Sequence, residues 1–223
     1  MDAPDRSREV DAPAHVLLVP LKGFGEAKER LAVSLDAEAR RSLAERLARG
    51  VLEAAGDLPV VVVCTDDHVA SWARGLGASA LQPHAGGLVE DLTEVCRALT
   101  DRGAERITIA PGDLARPGAI RSVLDRQLGE ADGRTVLVVP DRRADGTNLL
   151  SLPTGVGFRF RYGPGSAAAH IAEAERLGLP VVLAEDPDLA WDVDLPDDLP
   201  DDRPADPPGA ADPAGGAGTD GTL

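Results

Sequence analysis

Between Pro140 and Ser166 the chain carries two short loops of one chemical kind, PDRRADGTN and, after FRFRY, GPGS. Gly146-Thr147-Asn148 and Gly163-Pro164-Gly165-Ser166 each couple glycine with a hydroxyl or amide. Glycine lets backbone amides approach an anion closely, and the polar side chain can donate to it. Upstream, Asp113 follows the apolar run RITIAP in the segment PGDLARP. Downstream, Asp192 and Asp194 lie in WDVDLPDDL, where period-two alternation points both to one side and one or both could complete a metal site begun by Asp113. Mg2+ takes one or two such carboxylates together with phosphate oxygens. Lys22, Lys28 and Arg30, in LKGFGEAKERL directly after HVLLVP, would face a bound triphosphate alongside helix N-terminal amides. The set predicts phosphoryl or nucleotidyl transfer. Each position also has a bland reading: solvated surface cations, a turn-forming Asp113, and an acidic tail that begins at Asp192.

These groups need a scaffold, and the apolar runs supply one. Strand-length runs recur at His15–Pro20, Val60–Cys64, Arg106–Ala110, Thr135–Val139 and Val181–Leu183, continuous enough to be buried on both faces. Helical patterns alternate with them at about Glu26–Leu31, Asp36–Ala55, Asp67–Leu76, Leu88–Arg102, Pro117–Leu128 and Ser166–Leu177, the last with Ser166 as N-cap. This βα alternation predicts a three-layer α/β/α domain over residues 15–199 with a mostly parallel sheet. Ligands then bind beyond the carboxyl ends of the strands. Asn148 to Arg161 reads as extended excursions carrying the glycine loops, and residues 1–14 and 200–223 read as disordered ends.

Composition narrows the partners. A net charge of −15 and 3% aromatic content leave neither a basic footprint nor stacking platforms, which excludes nucleic acid but not a small phosphorylated ligand. Cys64 and Cys96 lack metal-ligand spacing and are expected to be reduced core thiols. Without an apolar leader or a bilayer-length apolar segment, no membrane contact is expected and the location reads as cytoplasmic. His15, His68, His84 and His170 form neither HExxH nor a Ser-His-Asp order and default to structure, although His170, one turn into the helix of Ser166, could approach a substrate phosphate. Neither a P-loop nor a GxGxxG fingerprint is present.

Taken in order, PLKGFGEAKERL, PGDL, PDRRADGTNLL, F-R-Y-GPGS-AAAH and WDVDLPDDL resemble the guanylyltransferases of deazaflavin coenzyme F-420 biosynthesis over about residues 14–199. The resemblance implies a nucleotide-diphospho-sugar-transferase type of fold, with GMP passed from GTP to a small phosphorylated acid and pyrophosphate released. In different branches the acid is 2-phospho-L-lactate, phosphoenolpyruvate or 3-phospho-D-glycerate. A composition like that of a high-GC bacterium points to phosphoenolpyruvate. Residue by residue, the resemblance makes Thr147, Gly163 and Ser166 the acceptor-acid site and Asp113 and Asp192 the Mg2+ ligands. It places Lys22 and Lys28 near the GTP phosphates, with Asp113 and Lys28 as the catalytic pair. The partners implied are GTP, the acid and the next transferase of the pathway.

Four positions depart from the family pattern: Ala115 after PGDL, Val89 where an amide is usual, Glu29 where a hydroxyl is usual, and Ala144-Asp145 where Gly-Thr is usual. Other readings keep the fold but change the substrate to a sugar phosphate or molybdopterin, or keep nucleotide binding without catalysis.

Overall fold

The computed structural model describes residues 13–84, 86–129 and 133–199, so the end segments read as disordered fall outside it apart from Pro13 and Ala14. Seven strands form one sheet: β1 (His15–Pro20), β2 (Val60–Val63), β3 (Ser79–Leu81), β4 (Arg106–Ile109), β5 (Val136–Pro140), β6 (Thr147–Pro153) and β7 (Val181–Leu183), in the order β3-β2-β1-β4-β6-β5-β7. All pairings are parallel except those of β6, which runs antiparallel to both β4 and β5.

Alternation along β1 shows why the domain has three layers. Leu17 and Val19 enter a hydrophobic cluster with α1 (Ala37–Glu53), α2 (Asp67–Gly75) and α4 (Ile120–Leu128), whereas Val16 and Leu18 enter another with α3 (Leu88–Asp101) and α5 (Ser166–Arg176). Successive strand side chains point to opposite faces, so a continuous apolar strand must be covered by helices on both. Helix starts follow local chemistry: the Asp36 carboxylate accepts the Ala39 N–H at 2.8 Å, and Asp66 accepts that of Val69 at 3.0 Å. Cys64 and Cys96 are free thiols within the two clusters, and burial pushes Cys96 up to about 12. Among the described residues no helix is long and apolar enough to cross a membrane.

Three elements depart from the sequence reading. The segment read as an excursion contains β6, a strand buried at every position in the interior of the sheet. Its polar residues disguise it, yet Ser151 is satisfied internally because its hydroxyl accepts from Thr108 Oγ1 at 2.9 Å. The short strand β3 follows α2 unannounced by any apolar run. Glu26–Leu31 is not an α-helix: turns lead into a 3-10 helix at Glu29–Val33.

The connection from β5 to β6 is a tight loop whose amides are gathered by one side chain. The Asp141 carboxylate accepts from Arg143 N at 3.1 Å and Asp145 N at 2.9 Å, and this curl drives Ala144 to φ +55°. A left-handed conformation costs an L-residue about 1–2 kcal/mol, partly balanced by the smaller unfolded-state entropy of alanine. Ala144→Gly is therefore expected to stabilise the fold by about 1 kcal/mol, read as a rise of roughly 2–4 °C in Tm by thermal melt.

Candidate active site

Strand order turns back beside β1, with β2 and β3 on one side and β4 on the other. The crevice beyond the carboxyl ends of β1 and β4 is thus a topological switch point, where open α/β sheets bind ligands. Lys28 arrives there from β1 and Asp113 from β4. Lys28 has φ +62° and ψ +36°, a backbone state uncommon for a residue with a side chain. The strain is held by packing: the next turn buries Leu31 against Leu43, Leu47 and Val193. Lys28 Nζ lies 2.5 Å from Asp113 Oδ2 and 3.4 Å from Asp194 Oδ1, with only 7% of its side chain exposed. Arg30 approaches the outer oxygen of Asp194 at 3.6 Å, and Lys22 is exposed on the same loop. Burial raises the pKa of Asp113; Lys28 opposes that shift, and the charges of Asp194 and Asp192 add to it.

The carboxyl-terminal strip is zipped to the Asp113 loop. Asp192 and Leu114 form an antiparallel bridge, flanked by Ala115 N to Trp191 O at 2.8 Å and Val193 N to Asp113 O at 3.0 Å. What fixes its far end is Asp198, fully buried, whose Oδ2 accepts from Asp194 N at 2.8 Å and Leu195 N at 2.7 Å. Its other oxygen pairs with Arg142 and Arg143 of the β5–β6 loop. The sequence reading missed these three residues. In PDRRADGTN and WDVDLPDDL both charges were visible, but nothing local says that the last aspartate turns inward rather than opening an acidic tail.

The antiparallel sense of β6 brings its first residues to the same edge of the sheet. Asn148 does not offer its amide outward: Nδ2 donates to Leu189 O at 3.0 Å and Asp192 Oδ1 at 3.4 Å, steadying Asp192. Asp145 joins the two glycine loops, its carboxylate accepting from Gly165 N at 2.9 Å and its carbonyl from Ala167 N at 3.1 Å. Gly163 and Gly165 adopt φ +117° and +73°, which explains the glycines of GPGS. The N-cap of α5 is Gly165 rather than Ser166. Ser166 is already helical and turns its hydroxyl to Thr147 Oγ1 at 3.1 Å. His170 does not reach outward to a phosphate: it is fully buried, with Nδ1 3.0 Å from Thr147 Oγ1 and Nε2 accepting the Arg161 N–H at 3.0 Å.

A pocket of about 460 Å3 lies between the start of α3 and the glycine loop, lined by Leu88, Val89, Glu90, Phe160, Arg161, Tyr162 and Gly163. Val89, one of the departures from the family pattern, is therefore a wall residue. Arg161, a cation that the sequence reading passed over, lines the same space. Among the described residues no group of three or more His, Cys, Asp or Glu is set to hold a metal ion. Asp113 and Asp192 stand close enough for the charge of one to act on the other.

Because the folded pKa of Asp113 lies above its ordinary value of 3.8, the folded state binds that proton more tightly than the unfolded chain does. The stability this contributes is complete below the ordinary value and is lost as pH rises through the folded one. Asp113→Asn removes the titration, so the Tm difference between variant and wild type is expected to move in the variant's favour from about pH 4 to about pH 8, measured by melts across that range.

A family model described as "Guanylyl transferase CofC like" matches residues 15–201. Phosphoenolpyruvate guanylyltransferase from Rubrobacter xylanophilus is 35% identical over 185 residues, covering 81% of this chain and 89% of that protein. The protein of the same name from Conexibacter woesei is 38% identical over 188 residues, covering 81% and 83%. Among solved structures, a protein from Desulfovibrio desulfuricans G20 assigned as a nucleotide-diphospho-sugar transferase superposes with a TM-score of 0.66 at 16% identity, covering 82% of this chain and 83% of that one, a likeness of fold. A switch-point crevice with a nearly buried lysine paired to an aspartate on one side and paired glycine loops on the other is thus set in the nucleotide-diphospho-sugar-transferase fold, and the chain belongs to the CofC-like guanylyl transferase family of nucleotidyltransferases.

Proposed function

We propose that this enzyme transfers GMP from GTP to phosphoenolpyruvate and releases pyrophosphate. The observation that carries the reading is the gathering, on one edge of the sheet, of the Lys28–Asp113 pair and the Thr147–Ser166 hydroxyls beside Gly163. In support, relatives named phosphoenolpyruvate guanylyltransferase share about a third of their residues with the chain across most of their length. A phosphate oxygen of the acid attacks the α-phosphorus of GTP, an O–P bond forms, and the bond to the β-phosphate oxygen breaks, its electron pair leaving with pyrophosphate. The attacking phosphate is already ionised near neutral pH, so no strong base is needed. What the protein must supply is alignment and charge neutralisation.

Lys28, Lys22 and Arg30 present positive charge to the triphosphate, while Thr147, Ser166 and the backbone at Gly163 hold the acid. The donor set of hard carboxylate oxygens at Asp113 and Asp192 fits Mg2+, which would neutralise phosphate charge there. Lys28 is held by its carboxylates before any substrate arrives, so its position costs no reorganisation at the moment of reaction.

The test is pyrophosphate release by the full chain with GTP and Mg2+, with phosphoenolpyruvate, 2-phospho-L-lactate and 3-phospho-D-glycerate offered in parallel and ATP and CTP as controls. Release is expected with GTP and phosphoenolpyruvate, and release with a different acid alone would overturn the substrate assignment. Silence with every acid, despite GTP binding, would sink the catalytic reading. Asp113→Asn and Lys28→Met are each expected to lower turnover by about a hundredfold or more, as loss of a preorganised charge does.

A further inference from the structure

Thr147, Ser166 and His170 form a closed hydrogen-bond set whose proton count can be worked out. The backbone N–H of Arg161 can only donate, so Nε2 of His170, 3.0 Å away, is the acceptor and carries no proton. The ring is buried against the edge of Tyr162 at 4.9 Å and the ring of Phe158 at 5.9 Å, surroundings that keep it neutral. Burial brings its pKa down to about 4, in line with that geometry. The single ring proton therefore sits on Nδ1 and is donated to Thr147 Oγ1 at 3.0 Å.

Between Thr147 and Ser166 there is one hydrogen bond, 3.1 Å long, and it consumes one hydroxyl proton of the two. With Nδ1 as donor, the other proton has no acceptor among the described residues, whichever hydroxyl carries it. With the opposite tautomer, Thr147 would donate to Nδ1 and Ser166 to Thr147, and both protons would be spent inside the protein. The ring's tautomer, set by a backbone amide nine residues away, decides whether this pair can donate to anything else.

We propose that His170 is a positioning residue that sets the Thr147–Ser166 pair to donate a hydrogen bond to an anionic oxygen of the phosphorylated acid. The inference rests on the acceptor-site reading of these two hydroxyls and adds a specificity determinant that touches no substrate itself. A hydrogen bond to a charged oxygen contributes more than one between neutral groups, so its loss is felt in acceptor binding rather than in GTP binding.

Two near-isosteric variants separate the two ring nitrogens. Asn places an amide donor where Nδ1 sits, and Gln places an amide oxygen where Nε2 sits. His170→Gln is expected to raise KM for phosphoenolpyruvate about tenfold or more, with KM for GTP and kcat changed less than about twofold, whereas His170→Asn stays within about threefold of wild type. Adding His170→Gln to Thr147→Val is expected to produce no further loss, because Nδ1 then has no hydroxyl oxygen left to hold. Equal effects of Asn and Gln, full additivity with Thr147→Val, or KM changes that merely follow Tm would each overturn the proposal. Calorimetric binding of phosphoenolpyruvate to the same proteins without GTP reads the proposal apart from catalysis. The same Gln-below-Asn ranking upholds it even if no pyrophosphate is released, which would then count against the transfer reaction alone, and absence of binding by wild type overturns it.

Discussion

The Lys28–Asp113 ion pair is the contact on which the rest of the site depends. It joins the loop after β1 to the loop after β4 across the point where the strand order turns back. A nearly buried ammonium needs a carboxylate partner, and the partly buried carboxylate of Asp113 supplies it. Lys28 accepts a left-handed backbone to reach this position, and Leu31, fully buried three residues later, keeps the loop from relaxing. Strain concentrated at a charged residue in a ligand crevice is what preorganisation looks like in a static structure.

Around that pair the chain divides its polar groups between contact and support. Asp198 spends its whole carboxylate on two amides and two arginines, locking Asp192 and Asp194 to the β5–β6 loop. Asn148 spends its amide on the Leu189 carbonyl and Asp192, and Asp145 ties the first glycine loop to the second. The substitution of Asp145 for the usual threonine therefore has a structural use in this chain, since its carboxylate and carbonyl both serve the GPGS turn. Three segments, the β5–β6 loop, the GPGS loop and the carboxyl-terminal strip, are held together by these contacts. The helices and strands only bring them to the same edge.

Half of the six aromatic side chains, Phe158, Phe160 and Tyr162, pack in series beside His170. This places stiff aromatic side chains next to the GPGS loop, where two of them also wall the pocket. The Glu173 carboxylate accepts from Arg159 N at 3.0 Å and pairs with Arg176, pinning the same segment to α5. The segment lacks strand pairing and takes its order from side chains.

How much of this was legible follows from the range of the forces involved. Parallel strands, amphipathic helices and the glycines at Gly163 and Gly165 are set by neighbours within a few residues, and periodicity or residue type exposes them. Asp113 and Lys28 were singled out because they follow apolar runs at expected strand ends, and Thr147 and Ser166 because each stands in a glycine loop. β6 was hidden, since its polar residues are satisfied by Thr108 and His170, partners that no local pattern reveals. The inward turn of Asp198, the internal use of the Asn148 amide and the tautomer of His170 were likewise decided only in three dimensions. Lys28 and Asp194 are 166 positions apart, and Thr147 and His170 are 23 apart. Sequence by itself determined which groups could do the chemistry and which elements carry them. The tertiary structure decided which face outward and which are consumed in holding the others, because a hydrogen-bonding group is assigned its partner only when the chain closes around it.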